Sequence, residues 1–337
     1  MIHVRAEVER SSRIVMEKTL NLKIEKFLSK IHDIYPDKYF EIEKYFYNNK
    51  PVTFRVNKLK LGNNSIEQII NNLRNKGFEL NDGPIKNSFI CNYRKAELKL
   101  SETEEFNDGQ IYIQGLSSML PVMFMDLKKG QNILDMCASP GGKTSQIAAE
   151  LNNECFITAV ENNKKRYYIL KNNMETLGAK CVNALYDNSV TLLLKYPNLS
   201  ESFDRVLLDV PCSNEGSIYL HNSKSLEKWN SKTAERLAKL QRTLLYSGIS
   251  LLKPGGSLLY STCTYSIEEN EQVIDWALKK FGNLNVQKIS VDLKNSMPGF
   301  TKWKKDVFND QLANTIRITP TELFIGFYIA LLKKTTD

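Results

Sequence analysis

The feature that most constrains the fold is an alternation of apolar and amphipathic runs that begins after residue 109. Apolar QNILDMC precedes helix-forming GKTSQIAAELN, and apolar CFITAVE precedes helix-forming KKRYYILKNNMETLG. CVNALYD, FDRVLLD and SLLYST continue the series as further strands, and GFYIALLKK is typical of a last strand. This alternation predicts an α/β fold with a largely parallel, doubly wound sheet and helices on both faces.

Two shorter segments precede this region. Residues 1–49 are expected to be helical, because KTLNLKIEKFLSKI repeats leucine and isoleucine at helical spacing. Residues 50–108 combine the alternating, strand-like VTFRVNKLK with an amphipathic helix, SIEQIINNLRNKGF, that stops at its glycine. We therefore predict an N-terminal helical segment, a small α+β (RRM-like) module, and a large α/β domain over residues 109–337.

Bulk composition narrows the class of protein. The 337 residues are 42% hydrophobic and 25% charged, values that are ordinary for a folded soluble chain. No apolar stretch is long enough to span a membrane, and the charged first residues contain no signal core, so a cytoplasmic protein is expected. The formal net charge of +8 favours a polyanionic partner, nucleic acid first, although a solvated basic surface explains it equally well. A monomer is preferred.

The cysteines argue against metal and disulfide chemistry. None of the six forms a C-x-x-C pair, and the chain has three histidines, so neither a zinc site nor a disulfide framework is predicted. Cys91, Cys155 and Cys181 are expected to be small buried hydrophobes. Cys212 and Cys263 differ, because each follows the end of an apolar strand and stands beside a polar turn.

Ligands of open α/β sheets bind beyond the carboxyl ends of the parallel strands. Polar or reactive side chains follow each predicted strand at this edge, in the order Asp135, Glu161, Asp187, Asp209 with Cys212, and Cys263. Any one of them alone would be an ordinary surface residue. Their recurrence along one edge of one sheet predicts a functional site.

The loop CASPGGKT, Cys137–Thr144, is suited to close contact with a ligand. Gly141 and Gly142 would let backbone amides approach it at the start of a helix. The loop matches a phosphate loop only in part, because a cysteine replaces the first glycine, which disfavours an ATPase. Glu161 suits the two hydroxyls of a ribose, and Asp187 could meet an adenine amine. Together these features predict a nucleoside-type cofactor.

Three motifs carry a family resemblance. DMCASPGGKTSQIA, DVPCSNEG and YSTCTYSIEENE, in this order, resemble the Sun-type (NOL/NOP/Sun) RNA cytosine-5 methyltransferases. PVTFRVNKLK, IYIQGLSSMLPV and IRITPTELFIGFYIALLKK are similar to other segments of that family, so the resemblance covers roughly Lys50–Lys334. Two positions depart from the pattern: Thr321 stands where the family often has histidine, and DVPCSN replaces the usual DAPCSG.

The resemblance implies a Rossmann-like methyltransferase domain with a closing antiparallel strand, preceded by a small module that helps to hold RNA. It implies S-adenosylmethionine as the cofactor and transfer or ribosomal RNA as the substrate. The cofactor site that it implies consists of Cys137, Ala138, Ser139, Pro140, Gly141, Gly142, Lys143, Glu161, Arg166, Asp187 and Asp209.

The same resemblance assigns roles to the strand-end thiols. A thiolate that adds to carbon 6 of cytosine makes carbon 5 nucleophilic enough to take a methyl group. Chemistry alone leaves the nucleophile open, because DNA cytosine methyltransferases use a Pro-Cys cysteine, which would point to Cys212. The family pattern implies instead that Cys263 attacks and that Cys212 assists release of the product. Asp209 is then expected to hold the base, with electrostatic support from Lys143.

The expected RNA contacts lie on the small module. Arg55, Lys58 and Lys60 in FRVNKLK are candidates to hold phosphates, with a solvated strand face as an equal alternative. Single-stranded or loop RNA is the expected substrate, because the target base must leave its stack.

Two other classes of function are each compatible with part of the sequence. A thiol hydrolase would need a histidine beside a reactive cysteine, and His221 is the candidate in the large domain. That reading leaves the glycine loop and the acidic strand ends without a role. A non-catalytic RNA-binding protein would explain the charge but not the thiols at the strand ends.

Overall fold

The computed structural model describes residues 19–92, 97–227, 229–230 and 232–336. Its strands are β1 (Val52–Val56), β2 (Glu79–Asp82), β3 (Ser88–Asn92), β4 (Ile111–Ile113), β5 (Asn132–Asp135), β6 (Phe156–Glu161), β7 (Val182–Tyr186), β8 (Phe203–Asp209), β9 (Leu252–Thr262), β10 (Leu284–Gln287), β11 (Ser296–Pro298), β12 (Lys302–Trp303), β13 (Asp306–Val307), β14 (Ile316–Ile318) and β15 (Phe327–Lys334). Its α-helices are α1 (residues 19–34), α2 (Tyr39–Ile42), α3 (Ile66–Asn75), α4 (Glu104–Asn107), α5 (Leu116–Met123), α6 (Gly142–Glu150), α7 (Lys164–Thr176), α8 (Leu192–Lys195), α9 (Ser223–Glu227), α10 (Thr233–Leu251) and α11 (Glu271–Lys280).

In the larger sheet, the strand order is β11-β14-β15-β9-β8-β5-β6-β7. Strand β10 belongs to the same sheet and pairs with β15. Strands β5 to β9 run parallel to one another, whereas β15 lies antiparallel between β9 and β14. The predicted α/β class, with its closing antiparallel strand, is confirmed. The order reverses at β5, which pairs with β6 on one side and β8 on the other, and such a switch point is where α/β sheets bind ligands.

The continuous apolar runs of the central strands reflect burial on both faces of this sheet. In β8, Val206 and Leu208 pack into one core with Leu245 of α10. The intervening Leu207 packs into the other core with Ile147 of α6. Helices therefore cover both faces, as the alternating pattern predicts.

The smaller sheet is antiparallel with the order β2-β3-β1-β4. Helix α3 begins at a capping box formed by Ser65 and Gln68 and contributes to the core of this sheet. Strand β4 lies beyond residue 109, the predicted domain boundary, yet pairs with β1 through Phe54 and Ile113. The boundary itself stays a prediction. The predicted strand VTFRVNKLK is shorter than expected: it ends at Val56, and Lys58–Lys60 form a 3₁₀ turn.

The predicted N-terminal helical segment is partly described, since residues 1–18 lie outside the described residues. Helix α1 packs against the large sheet's core rather than against the smaller sheet. Phe27 and Ile31 are fully buried, and the Phe27 ring lies 5.7 Å from the Trp229 ring in an edge-on contact. None of the described helices is long and apolar enough to cross a membrane.

Candidate active site

Two cysteine sulfurs meet at the carboxyl edge of the large sheet. Cys212 follows β8 and Cys263 follows β9, and these strands are parallel neighbours with Asp209 opposite Ser261. Because both chains leave the sheet at the same level, their thiols are brought together, and the two Sγ atoms lie 3.3 Å apart. Parallel pairing thus unites residues that are 51 positions apart in sequence.

The two thiols have different surroundings. The hydrogen-bonding contact with Cys263, followed by burial, raises the pKa of Cys212 well above its usual range. Cys212 is therefore a protonated thiol at neutral pH. The Cys263 thiol donates a hydrogen bond to Asn214 Oδ1 at 2.9 Å, and its side chain is half-buried. Cys263 is thus held between a neutral amide and a proton-bearing sulfur.

Asp209 and Lys143 form an ion pair beside the thiols. Lys143 Nζ donates to Asp209 Oδ2 at 2.7 Å and to Ser118 Oγ at 2.8 Å. Ser261 Oγ donates to Asp209 Oδ1 at 2.6 Å. The Asp209 side chain retains 32% of its exposure, so the carboxylate is fixed in place and still reachable by a ligand.

The loop after β5 is fastened to α7. Arg166 Nη2 donates to the Ser139 carbonyl at 2.6 Å, and Ser139 Oγ donates to the Arg166 carbonyl at 2.9 Å. Gly141 has a φ of +104°, and a Cβ there would lie 2.4 Å from Met174 Cε, so this position requires glycine. The start of α6 thus follows a left-handed backbone position that suits glycine, in a loop that α7 holds in place.

A cavity of about 270 Å³ lies between this loop and Asp209. Asp135 is among its lining residues, and Thr144 Oγ1 donates to Asp135 Oδ2 at 2.7 Å. Asp135 Oδ1 is buried and has no hydrogen-bond partner among the described residues. Burial raises the pKa of Asp135 to about 6. The remaining lining residues are Tyr112, Ile113, Gln114, Gly115, Ser118, Cys137, Ala138, Ser139, Pro140, Gly142, Lys143 and Asp209.

Glu161 and Asp187 lie farther along the same edge, outside the lining of this cavity. Glu161 is almost completely buried, and its Oε1 accepts a hydrogen bond from the Asn163 amide at 2.8 Å. Asp187 accepts hydrogen bonds from Lys195 Nζ at 2.6 Å and Tyr196 Oη at 3.0 Å. The Lys195 hydrogen bond is the main cause of a lowered Asp187 pKa. Both carboxylates thus lie at the strand ends, but the Asp187 carboxylate already accepts hydrogen bonds from Lys195 and Tyr196.

The structure contradicts the prediction that Arg55 holds an RNA phosphate. Arg55 is 4% exposed, and its guanidinium donates to Gln114 Oε1 at 2.9 Å and Ser145 Oγ at 2.7 Å. Because its donors point into the protein, Arg55 joins the small sheet to α6 instead of facing solvent. Lys58 and Lys60 lie on the adjacent 3₁₀ turn with partly exposed side chains.

His221 is the histidine that a thiol hydrolase would require beside a reactive cysteine. His221 lies against the rings of Tyr47 and Tyr219, at 5.4 and 5.7 Å. Among the described hydrogen bonds it makes none to a cysteine, so the structure gives no support to a thiol hydrolase. Cys91 and Cys155 are buried, as predicted. The prediction for Cys181 is wrong: it is half-buried, and its Sγ lies 3.5 Å from the Cys155 Sγ at the start of β7.

Sequence reasoning missed two buried carboxylates beneath the thiols. Glu215 Oε2 accepts a hydrogen bond from Thr264 Oγ1 at 2.9 Å. Glu269 Oε1 accepts one from the Ser213 amide at 2.9 Å, and Glu269 Oε2 accepts one from the Ser213 hydroxyl. Each carboxylate therefore links the Cys212 loop to the segment after Cys263. The available signal was their position: both acids stand within a few residues of a cysteine in its own motif.

The parallel strands β5 to β9, the antiparallel β15 and the glycine loop after β5 together define a Rossmann-like methyltransferase fold. A family sequence model described as 16S rRNA methyltransferase RsmB/F matches residues 122–333. The chain belongs to this RsmB/F methyltransferase family, and the membership predicted from its motifs is confirmed.

Individual relatives agree with this placement. The chain is 36% identical over 317 residues to the 28S rRNA (cytosine-C(5))-methyltransferase of Mus musculus, covering 91% of this chain and 38% of that protein. It is 34% identical over 318 residues to the tRNA (cytosine(49)-C(5))-methyltransferase of Pyrococcus abyssi, covering 94% and 97%. The chain thus spans well under half of the mouse relative but nearly all of the archaeal one.

A solved structure shows the same fold. The crystal structure of a methyltransferase homolog protein from Pyrococcus horikoshii superposes with a TM-score of 0.75 at 32% identity. The match covers 90% of this chain and 92% of that one, so it includes the smaller sheet as well as the large one.

Proposed function

We propose that this protein transfers a methyl group from S-adenosylmethionine to carbon 5 of a cytosine in transfer or ribosomal RNA. The observation that carries this proposal is the 3.3 Å contact between the Cys212 and Cys263 sulfurs at the carboxyl edge of the sheet. Membership of the RsmB/F family and the names of the mouse and archaeal relatives support the same reaction.

In the proposed reaction Cys263 is the nucleophile. Its thiol first gives up its proton to solvent water; the resulting thiolate bonds to carbon 6 of the extruded cytosine, and the electron pair of the 5,6 double bond becomes available at carbon 5. Asp209, whose carboxylate accepts hydrogen bonds from Lys143 and Ser261, would accept hydrogen bonds from the base. After carbon 5 has gained the methyl group, its proton passes to solvent water, the C–H electron pair restores the 5,6 double bond, and the Cys263 sulfur leaves carbon 6 with the bonding pair. Cys212, which stays protonated, assists this release as a proton donor.

The cofactor would occupy the cavity beside the glycine loop. When bound, S-adenosylmethionine supplies an electrophilic methyl group on a sulfonium. The cavity fits such a group, because Asp135 provides a buried acceptor oxygen without a partner among the described residues, and Asp209 provides a second carboxylate. Residues 137–143 would hold the amino-acid part, and the ribose would extend beyond the cavity to Glu161, whose Oε2 lies 3.5 Å from Arg166 Nη2.

Single substitutions of the two thiols test the mechanism. Cys263→Ala should abolish methyl transfer, because no sulfur remains to attack carbon 6. Cys212→Ala should leave attack possible but slow release, so a denaturation-resistant protein–RNA adduct should accumulate on a gel. The measurement combines labelled S-adenosylmethionine with RNA from cells that lack the gene.

The matched control is Cys91→Ala, which removes a buried thiol far from the sheet edge and should retain transfer. Robust methylation by Cys263→Ala would overturn the assignment of the nucleophile. Absence of an adduct with Cys212→Ala would refute the release role. Mapping of 5-methylcytosine in the product RNA then decides between transfer and ribosomal RNA; a cytoplasmic location and a monomeric state stay predictions.

A further inference from the structure

A basic groove of about 820 Å³ lies between the smaller sheet and helix α7. Lys58 and Lys60 line one side, and Lys171 and Lys180 line the other from α7 and the turn after it. Glu175 is the single acidic residue in its described lining. The balance of charge in the groove is therefore positive, which suits a chain of phosphates.

Aromatic side chains lie at one end of this groove. Tyr167 is part of the lining, and its ring lies 5.4 Å from the Tyr168 ring and 5.7 Å from the Tyr186 ring. Tyr168 is 57% exposed and Tyr186 is 51% exposed, both large values for aromatic residues. Exposed rings beside lysines form the combination that binds unpaired bases together with their backbone.

We propose that this basic groove binds the backbone of single-stranded RNA that flanks the target cytosine. The inference rests on the proposed function, since it assumes an RNA substrate. One end of the groove lies near the loop after β5. Tyr167, in the groove lining, follows Arg166, whose guanidinium donates to the Ser139 carbonyl of that loop. RNA lying in the groove would reach the loop after β5 at the Tyr167 end.

The test replaces Lys171 and Lys180 together by alanine. Lys58 is left unchanged because Glu150 lies 3.9 Å from it and partly neutralises it. Binding of a labelled single-stranded oligoribonucleotide is followed by anisotropy at increasing salt. The double variant should bind about tenfold more weakly, and its salt slope should fall by about 0.7 for each lysine removed. The matched control is Lys280→Ala with Lys305→Ala, two exposed lysines on other elements.

Methyl transfer separates this inference from the proposed function. The double variant should lose kcat/KM on long RNA while retaining kcat at saturating RNA, because no reacting group has changed. If its affinity and salt slope equal those of the control, the groove is not an RNA site. If the wild-type protein transfers no methyl group to RNA, the proposed function fails, and the anisotropy result still decides whether the groove binds RNA.

A second, independent inference concerns helix α1, which lies outside the range matched by the family model. Lys30 of α1 donates from Nζ to Glu215 Oε1 at 2.7 Å and to Ser266 Oγ at 2.5 Å. Glu215 is 1% exposed, and Trp229 Nε1 donates to the same Oε1 at 3.0 Å. A buried carboxylate is thus paired with a cation from a distant helix.

This carboxylate lies between the two cysteine loops. Glu215 is three residues after Cys212, and its Oε2 accepts hydrogen bonds from Thr264 at 2.9 Å and Ser266 at 3.1 Å, just after Cys263. Lys30 neutralises it there and lowers the Glu215 pKa against the opposing effect of burial. Without that cation the charge would be buried and unpaired, a state that strongly destabilises its surroundings.

We infer that Lys30 and Glu215 are positioning residues for the thiol pair, so that helix α1 forms part of the working active site. They touch no reacting atom themselves. They hold the loops after β8 and β9 together, and thereby fix the separation of the Cys212 and Cys263 sulfurs.

The test is a double-mutant cycle of Lys30→Met and Glu215→Gln. Lys30→Met should lower kcat about 100-fold, as expected for a small displacement of a nucleophile, and leave KM for RNA and cofactor within about twofold. Adding Glu215→Gln removes the unpaired charge and should restore the melting temperature and part of kcat. Lys30→Arg should retain most activity.

The matched control is Lys26→Met, an exposed lysine of the same helix, which should leave kcat unchanged. A wild-type kcat in Lys30→Met would overturn the inference. So would a loss of activity that only parallels the unfolded fraction and is not relieved by Glu215→Gln. If Lys30→Met alone does not fold, the comparison of the double variant with Glu215→Gln decides: equal kcat values support the coupling, and a kcat far below that of Glu215→Gln shows that Lys30 acts apart from Glu215 and overturns the inference.

Discussion

At the scale of single residues, Asp135 is a carboxyl group whose burial makes ionisation unfavourable. Its carboxyl group is buried at the switch point of the sheet, with one oxygen bonded to Thr144 and the other without a partner among the described residues. Burial raises its pKa to about 6 from an ordinary value of 3.8. Ionisation of this buried carboxyl group reduces the stability of the fold. Its presence in a cavity therefore indicates a role in ligand binding.

Asp135→Asn should therefore stabilise the empty protein in a pH-dependent way. The raised pKa means that the wild type loses stability as the pH rises from about 4 to about 6, because the folded carboxyl gives up its proton less readily. The variant has no such loss, so its advantage should reach about 2–3 kcal/mol at neutral pH and vanish near pH 4. Thermal unfolding at several pH values measures this.

The control is Asp292→Asn, an exposed carboxylate, which should show no pH-dependent gain. Calorimetry should also show weaker binding of S-adenosylmethionine to Asp135→Asn. An advantage that is equal at pH 4 and pH 8 would show that ionisation of Asp135 is not its source.

The proximity of the residues at the strand ends could be predicted from the sequence, because parallel strands bring their carboxyl ends to one edge of the sheet. The meeting of Cys212 with Cys263 follows from that rule, whereas the pairing of Lys143, in α6, with Asp209 was implied by the family resemblance. Partners contributed by remote segments could not be predicted. The Lys30–Glu215 contact joins positions 185 apart, and no local pattern encodes such a distance.

At the scale of elements, strand β1 is joined to the large domain by buried polar side chains. Arg55 reaches Ser145 of α6, and Asn57 Nδ2 donates to the carbonyls of Gly109 and Leu177, each at 2.9 Å. The amphipathic pattern of β1 indicated a strand but could not show that its arginine would be covered by α6. The same buried position lowers the Arg55 pKa to about 10.

Arg55→Met should consequently reduce stability rather than RNA binding. The variant leaves Gln114 Oε1 and Ser145 without a strong donor, so the free energy of unfolding should fall by about 2–3 kcal/mol. Lys60→Met, on the neighbouring turn, is the control and should leave stability nearly unchanged. Melting temperature and anisotropy measure the two effects; a variant with normal stability and weakened RNA binding would restore the original phosphate role of Arg55.

Helix and strand patterns predicted the large domain well because its elements are long and periodic. Strands β10 to β14 were not predicted individually. Each contains four residues or fewer, too few to establish a period by itself. Strands β10 and β14 pair with β15, whereas β12 and β13 pair with each other.

For the whole molecule, the two cores on either face of the large sheet explain how the accessory segments are placed. Helix α1 adds Phe27 and Ile31 to the core that also contains α10 and α11. The smaller sheet instead lies near α6 and α7, through Arg55 and Asn57. The accessory segments therefore approach the active site from opposite faces, one supporting the thiol loops and the other bordering the basic groove.

The place of β15 has a consequence for biosynthesis. This strand lies between β9 and β14, although the ribosome makes it after both. Translation at about 5–20 residues per second leaves β9 waiting several seconds for its neighbour. Gly326, immediately before β15, also fits tightly against the Tyr265 ring, two residues after Cys263. A nascent polypeptide therefore gains the contact of Gly326 with Tyr265, beside the loop that carries Cys263, only once this late strand has been inserted between β9 and β14.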